Sequence, residues 1–405
     1  MSSILPSATR VVSGMRSTGR LHLGHYHGVL KNWVRLQHEY DCLFFVADWH
    51  ALTTHYEDPA IIAHSIRDMV VDWIAAGVDA HSATLFVQSA VPQHAELHVL
   101  LSMITPLTWL ERVPTYKDQQ EKLRERDLAT YGFLGYPLLQ TADILAYRAA
   151  LVPVGDDQVA HIELSREVAR RFNYLYGREA GFVERAEEAL RKMGRKPAKA
   201  YKELRDAYLE RGDSEALDTA RALIERQPNM ALGDKERLLG YLEGHGRLIL
   251  TEPQALLTPQ SRMPGLDGQK MSKSYENTIG LREAPDDVAR KIKTMPTDPS
   301  RKRRTDAGDP AHCPVWPFHE IYSSDDVKAW VQAGCRSAGI GCLECKQPVI
   351  DAINAELAPI RARAHDLEQD AGQVRDILLE GARRAREIAE ETLTDVRRAM
   401  GLAWE

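Results

Sequence analysis

Two short segments far apart in the chain carry the residue types that handle a polyphosphate. The first runs Gly14-Met15-Arg16-Ser17-Thr18-Gly19-Arg20-Leu21-His22-Leu23-Gly24-His25. Glycine lets the backbone approach a flat ring or a phosphate, and a helix starting after such a loop offers free N–H groups and the positive end of its dipole. His22 and His25 share one helical face at this spacing, so both reach a single bound triphosphate. A helix-surface histidine pair, or a metal site completed by His27, competes with that reading. The second segment runs Pro264-Gly265-Leu266-Asp267-Gly268-Gln269-Lys270-Met271-Ser272-Lys273-Ser274. Its two lysines are flexible point charges, suited to neutralise the charge that builds on pyrophosphate when an α-phosphate is attacked. A solvated Lys-Ser loop looks much the same, and it is the co-occurrence of the two segments that favours a nucleotide site.

Two further sets of residues ask for partners. Asp143 falls within an apolar helical pattern, where an unpaired carboxylate is costly and a donor is required, whether from a ligand, a neighbouring Arg or a helix end. Four of the five cysteines, Cys313, Cys335, Cys342 and Cys345, crowd into one stretch with 21, 6 and 2 residues between them, while Cys42 stands apart. Without a secretion signal, such a set reads as a metal or cluster site rather than a disulfide framework. All-sulfur ligation fits tetrahedral Zn²⁺ or a [4Fe-4S] cluster, and the spacing alone does not choose.

The elements that must position these residues follow from periodicity. Apolar extended runs at Arg10 to Ser13, Cys42 to Ala47, Ala83 to Gln88 and Ala150 to Val154 alternate with helical patterns such as Val29 to Glu39. That alternation predicts an α/β fold with a doubly wound parallel sheet. From about residue 178 to 246 the texture becomes charged and rich in Ala and Glu, which reads as a helical insert with breaks near Gly194, Gly212 and Gly233. A third region from about Pro285 holds the cysteines and closes on a long amphipathic helix, Val374 to Met400. The 405 residues are 44% hydrophobic, enough for a sizeable core in two or three domains. No leader and no membrane-length apolar run is apparent, so a cytoplasmic location is expected, with no membrane partner. A net charge of -6 argues against a general basic coat and against DNA as a partner, leaving RNA contact to local patches such as Arg301-Lys302-Arg303-Arg304. A solvated charge run is the competing account of that patch.

The pairing of HLGH with KMSKS resembles the class I aminoacyl-tRNA synthetases. The resemblance narrows to the bacterial-type tryptophanyl-tRNA synthetase family at Gly135-Tyr136-Pro137-Leu138-Leu139-Gln140-Thr141-Ala142-Asp143-Ile144-Leu145, at Val152-Pro153-Val154-Gly155-Asp156-Asp157-Gln158, at Asp48-Trp49-His50-Ala51-Leu52-Thr53, and at the tail Val396-Arg397-Arg398-Ala399-Met400-Gly401-Leu402. It covers nearly the whole chain except the insert. It implies a Rossmann-like catalytic domain over 1–177 that continues in 247–284, the insert at 178–246, and an all-helical anticodon-binding domain over 285–405. The implied reaction is ATP-dependent activation of L-tryptophan, with Mg²⁺, and transfer to tRNA(Trp) by a homodimer. The implied ATP-binding residues are Met15, Arg16, Thr18, Gly24, His25, Lys270, Met271, Ser272 and Lys273, with His22, His25, Lys270 and Lys273 catalytic. The implied tryptophan site is Gly14, His50, Tyr136, Gln140, Asp143, Asp157 and Gln158, with Asp143 accepting the indole N–H and Asp157 alternatively an N-cap. The cysteine spacing resembles the iron–sulfur-containing subset, which favours [4Fe-4S] over Zn²⁺.

Two positions depart from the family pattern. Gln140 stands where many members carry Met, and Arg16 replaces a commonly seen Gln. Tyrosyl-specific relatives share the fold and both ATP motifs, and a phenol could also donate to Asp143, so tyrosine is the nearest rival substrate. An H-x-G-H nucleotidyltransferase and an inactive synthetase-like regulator are the alternatives from other classes, and neither accounts for the pocket helix, the KMSKS loop and the tail together.

Overall fold

The computed structural model describes residues 9–113, 130–155, 158–177, 181–211, 213–228, 230–244, 246–257 and 263–404. Five parallel strands form its sheet: β1 (Arg10–Arg16), β2 (Asp41–Ala47), β3 (Ala83–Val87), β4 (Leu151–Val154) and β5 (Gln254–Leu257), in the order β3-β2-β1-β4-β5. The first four coincide with the apolar runs of the sequence. β5 was not foreseen, because a four-residue strand following the charged insert carries too little pattern to stand out. Between β1 and β4 the winding reverses, and in such sheets the crevice at the carboxyl ends beside that reversal is where ligands sit.

Strand side chains alternate between two cores. Val11, Phe44 and Val46 face one side with Trp33 and Trp73, whereas Val12, Leu43, Phe45 and Phe86 face the other with Ile162 and Phe172. The two long C-terminal helices do not stand apart from this arrangement. The helix Cys342–Gln369 contributes Val349, Ile353 and Leu357 to the first core, and the helix Ala371–Ala399 contributes Ala382, Ala385, Ala389 and Leu393 to the second. Gly381 lies so close to β3 that a Cβ there would overlap the Leu85 carbonyl, so this helix shields the open edge of the sheet.

The charged helical stretch has a core of its own. Helices Phe182–Lys192, Arg195–Arg211, Ser214–Glu225 and Leu232–Leu242 enclose Leu190, Tyr201, Ile224 and Leu238, and the Tyr201 hydroxyl donates to the Leu238 carbonyl at 2.6 Å. Glu236 ties the unit to the body by accepting from Arg148 at 2.8 Å and Arg247 at 2.6 Å. Arg148 precedes β4, so these helices attach at the amino end of the strands, opposite the crevice. Among the described residues no helix is long and apolar enough to cross a membrane.

Candidate active site

β1 ends at Arg16 and the chain turns through Gly19, whose φ of +96° is a left-handed conformation that glycine adopts without strain. A helix then begins at Leu23–His25, widens into a π-helical turn at Tyr26–Leu30 and continues as Lys31–Leu36. His22 is its N-cap, its Nδ1 accepting the Gly24 N–H at 3.1 Å, while the His25 Nδ1 accepts the His22 N–H at 3.3 Å. Both Nδ1 atoms are therefore acceptors, which leaves the proton of each neutral ring on Nε2. The rings lie 3.9 Å apart. Burial, and next the Lys273 charge, lowers His22 to about 4; burial, His22 and Lys273 hold His25 well below its ordinary value. The pair consists of neutral N–H donors around pH 7.

The KMSKS segment closes on the same helix. Leu23 N–H donates to the Ile279 carbonyl at 3.0 Å, Leu281 N–H donates to Leu21 at 3.1 Å, and His22 bridges Gly280 in antiparallel fashion. Met271 is buried against Gly24, and the Lys273 ammonium donates to the Thr18 carbonyl at 2.8 Å. Burial lowers Lys273, and Asp72 opposes that shift. Lys270 remains exposed at the outer end of the loop, so of the two lysines only Lys273 is turned into the site here. Asn277 builds the loop. Its amide N donates to Asp267 at 2.7 Å and to the Lys270 carbonyl at 3.1 Å, and its amide O accepts Ser272 N–H at 2.8 Å.

Asp72 joins the two signature segments from beneath. One oxygen accepts Leu21 N–H at 2.8 Å, and the other pairs with Arg282 at 2.8 Å. Burial pushes its carboxyl up to about 6, against the pull of Arg282. Arg282 also pairs with Asp68 and Glu368. On the other wall of the crevice, Arg16 donates to the Thr54 hydroxyl, with its Nε and the Ser17 hydroxyl buried and without partners among the described residues. Such orphaned polar groups suit a polar ligand.

The carboxyl ends of β2 and β3 and the helix Tyr131–Leu145 build a second chamber beside the first. Asp143 is 1% exposed and accepts from Gln88 at 2.8 Å, His94 at 2.5 Å and His50 at 2.8 Å. Burial works to raise its pKa, but the bonds from His50 and His94 outweigh that and hold it well below the usual carboxylate range. The far nitrogen of His94 meets the Tyr147 hydroxyl at 2.5 Å, which fixes the ring. The donor that the sequence demanded for Asp143 is thus three side chains, neither an Arg nor a helix end. Tyr136 stands edge-on to His50 with centroids 6.4 Å apart, and His161 Nδ1 lies 2.6 Å from the Gln140 Oε1, holding the residue that departs from the family pattern. Gly14 faces Phe45 so closely that a Cβ would overlap the ring. Met15 pairs with Val46 across β1 and β2, and Gln158 stands just before the helix Val159–Tyr176, its side chain making no capping bond. Asp157 lies outside the described residues. Gln88, His94, His161, Asp72 and Asn277 escaped the sequence reading, since a single polar residue in an apolar stretch does not declare its partner.

The four cysteines gather beyond the site. Cys345 is raised to about 12 by burial and then by Cys313, Cys335 and Cys342, and burial also raises Cys335. Its sulfur lies 3.4 Å from His319 Nε2, and the Cys335 sulfur lies 4.0 Å from Arg301. Arg301 is 9% exposed and donates inward to the Ile340 carbonyl at 2.5 Å, so it does not join Lys302, Arg303 and Arg304 on the surface as the basic-run reading expected. Among the described residues no three metal-binding side chains are drawn together closely enough to hold an ion.

Comparison with known proteins follows the same lines. The profile of the class I tRNA synthetases for tryptophan and tyrosine matches residues 6–198 and 217–358. The tryptophan–tRNA ligase of Ralstonia nicotianae is 64% identical over 395 residues, spanning 98% of this chain and 99% of its own. That of Thermotoga maritima is 41% identical, spanning 97% and 99%. Among solved structures, tryptophanyl-tRNA synthetase from Campylobacter jejuni complexed with ADP and tryptophan superposes with a TM-score of 0.72 at 25% identity, covering 97% of this chain and 100% of its own. Outside the family profile lie 1–5, 359–405 and the internal stretch 199–216, which falls within the charged helical segment.

Proposed function

The chain belongs to the class I tRNA synthetases of the tryptophan and tyrosine family and is a tryptophan–tRNA ligase, and from that premise we propose how its own residues carry the reaction. The substrates are tryptophan, ATP and tRNA, with Mg²⁺ accompanying the nucleotide. The carboxylate of tryptophan attacks the α-phosphorus, the bond to pyrophosphate breaks, and the adenylate then passes its acyl group to a terminal ribose hydroxyl of the tRNA, releasing AMP.

Tryptophan occupies the chamber at Asp143. Among the described residues the Oδ2 atom receives His50 alone, which leaves a lone pair for the indole N–H. Phenylalanine, lacking that donor, leaves the acceptor unmatched and is rejected. Tyr136 and Gly14 flank the ring, Gln140 adds polarity to the same pocket, and Gln158, with Asp157, holds the α-ammonium.

ATP enters between Thr18 and the KMSKS loop. Met15, Arg16 and Gly24 line its path, Met271 and Ser272 carry the loop backbone, and His22 and His25 present Nε2–H to the phosphates. Lys273 stabilises the charge that grows on pyrophosphate, and Lys270 joins it when the loop turns inward. The reading is carried by one observation, the Lys273 ammonium on the Thr18 carbonyl beside the histidine pair. Tryptophan-dependent exchange of pyrophosphate into ATP tests it: activity with tryptophan and not with tyrosine is expected, and equal exchange with tyrosine would overturn the assignment of the chamber.

The division into a catalytic unit (1–177 and 247–284), an insert (178–246) and an anticodon-binding region (285–405) is part of the same proposal, as is a cytoplasmic location. The cysteines fit an anionic [4Fe-4S] cluster better than a neutral apolar site, because Arg301 and the buried Lys346 place positive charge beside four sulfurs whose thiolate forms repel one another. Cys313, Cys335, Cys342 and Cys345 would hold the cluster, which would cross-link the region that meets the anticodon; Zn²⁺ is the other occupant of the same chemistry. A homodimer is supported by exposed apolar side chains around the start of the pocket helix, Val99, Met103, Leu107 and Tyr131, of which Met103 and Tyr131 are 69% and 67% exposed.

A further inference from the structure

The helix that carries His22 and His25 is gripped one turn later by residues that play no part in the chemistry above. His27 lies in the π-helical turn, and its side chain is 6% exposed. Its Nε2 lies 2.9 Å from the Tyr322 hydroxyl and 3.0 Å from Glu356 Oε2, and that hydroxyl donates to the same carboxylate oxygen at 2.8 Å. Lys31, one turn further along, donates to the other oxygen of Glu356 at 2.7 Å. Against the pull of burial, the bonds from His27 and Lys31 hold the Glu356 carboxyl down to about 2. Neutral packing would have sufficed to dock a helix here, so a half-buried carboxylate with both oxygens engaged fixes one geometry rather than merely adding stability.

The two jaws come from elements that also carry the cysteines. Tyr322 ends the helix Trp316–Tyr322, which starts just after Cys313 and whose His319 touches Cys345. Glu356 sits on the helix that opens with Cys342 and Cys345. From Cys345 to Glu356 is three turns, about 16 Å along one face of a single helix.

We propose that Glu356 and Tyr322 are positioning residues for adenylate formation, clamping His27 so that the helix bearing His22 and His25 is held in register with Lys273 from the cysteine-bearing side of the molecule. The proposal rests on the reading that His22 and His25 receive the triphosphate. A π-turn is a register defect in a helix and relaxes readily to α geometry, so it persists where side chains pin it. Releasing His27 lets the turn relax, and the His22 and His25 rings re-aim relative to Lys273 while the backbone at Leu21 and Leu23 stays tied to Leu281 and Ile279.

The test uses the full-length enzyme in tryptophan-dependent pyrophosphate exchange. Tyr322→Phe removes one hydroxyl and Glu356→Gln keeps shape while losing charge, so both are mild. Each should raise the KM for ATP roughly fivefold to tenfold, with the KM for tryptophan within about twofold of the parent. Because both act through one ring, the double variant should be far less impaired than the product of the two single losses. Unchanged ATP parameters, equal losses for ATP and tryptophan, or losses that multiply independently would each overturn the clamp. His22→Ala separates this from the underlying reading: if it leaves exchange intact, the ATP site itself is misassigned and the clamp falls with it, whereas if it abolishes exchange while Tyr322→Phe and Glu356→Gln behave like the parent, the clamp alone is wrong.

Discussion

Replacing Lys273 with methionine is the sharpest test of the site, because the substitution keeps the length of the side chain and deletes its charge. At about 4 Å and an effective dielectric near 20, one unit charge acts on another with about 4 kcal/mol. Part of that is already present when the charged triphosphate binds, so the share that grows in the transition state is about 3 kcal/mol, or roughly 100-fold to 1000-fold in rate. The folded enzyme should hardly notice. The Thr18 carbonyl loses one donor, worth about 1 kcal/mol, but the cost of half-burying the ammonium vanishes too. Tryptophan binding should survive, since the bonds around Asp143 come from His50, Gln88 and His94 and involve none of the lysine's partners. Pyrophosphate exchange gives the rate, calorimetry with tryptophan gives the binding, and a thermal melt gives the fold. An exchange rate within about tenfold of the parent, or a loss of tryptophan affinity in proportion to the loss of rate, would refute the assignment of Lys273 to the leaving group.

Asp143→Asn keeps the shape but turns one acceptor into a donor facing Gln88, His94 or His50; stability should fall by about 2 kcal/mol, and the preference for tryptophan over phenylalanine in exchange should shrink. An unaltered preference would assign that carboxylate to structure alone. His22, nearly fully buried and lowered to about 4 against an unfolded value near 6.5, makes the fold acid-sensitive. Its contribution is intact above pH 6.5 and is lost as the pH falls toward 4, because the unfolded chain takes up a proton that the native ring refuses; 2.5 pH units at about 1.4 kcal/mol each make about 3 kcal/mol. Denaturant melts of the parent and of His22→Asn should therefore converge on acidification through that window, and parallel curves would remove His22 from the account.

How much of this was legible in the sequence depended on whether a residue announces its partner. Four strands showed themselves as apolar runs, and the C-terminal helix was expected at Val374 to Met400 against Ala371–Ala399 in the structure. The signature histidines and lysines carry a spacing that has a chemical meaning of its own. Gln88, His94 and Tyr147 carry none. Each is one polar side chain in an apolar stretch, and only folding reveals that they converge on Asp143. Asp72 is a similar case, reading as an ordinary helix aspartate until Leu21 and Arg282 arrive at it from segments far apart in the chain. Lys270 and Lys273 were read as equivalent because spacing alone cannot say which way a loop is turned; Met271, buried as an anchor between them, sends one inward and leaves the other in solvent.

The joining of distant segments has an energetic consequence beyond placement. The backbone between Leu21 and Leu23 is paired with Ile279 and Leu281, and Asp72 spans the same two strands of chain through Leu21 and Arg282. A buried carboxylate pushed up to about 6 is costly where it stands, and breaking such a pair by removing one partner leaves an uncompensated charge. The loop bearing Lys273 therefore cannot drift from the helix bearing His22 without first separating Arg282 from Asp72. What remains free to move is the exposed Lys270 side chain, whose own carbonyl Asn277 holds. A site built this way holds one cation in place before the nucleotide arrives and lets the second close over it, which is the order required if the charge on pyrophosphate is to be met only as it develops.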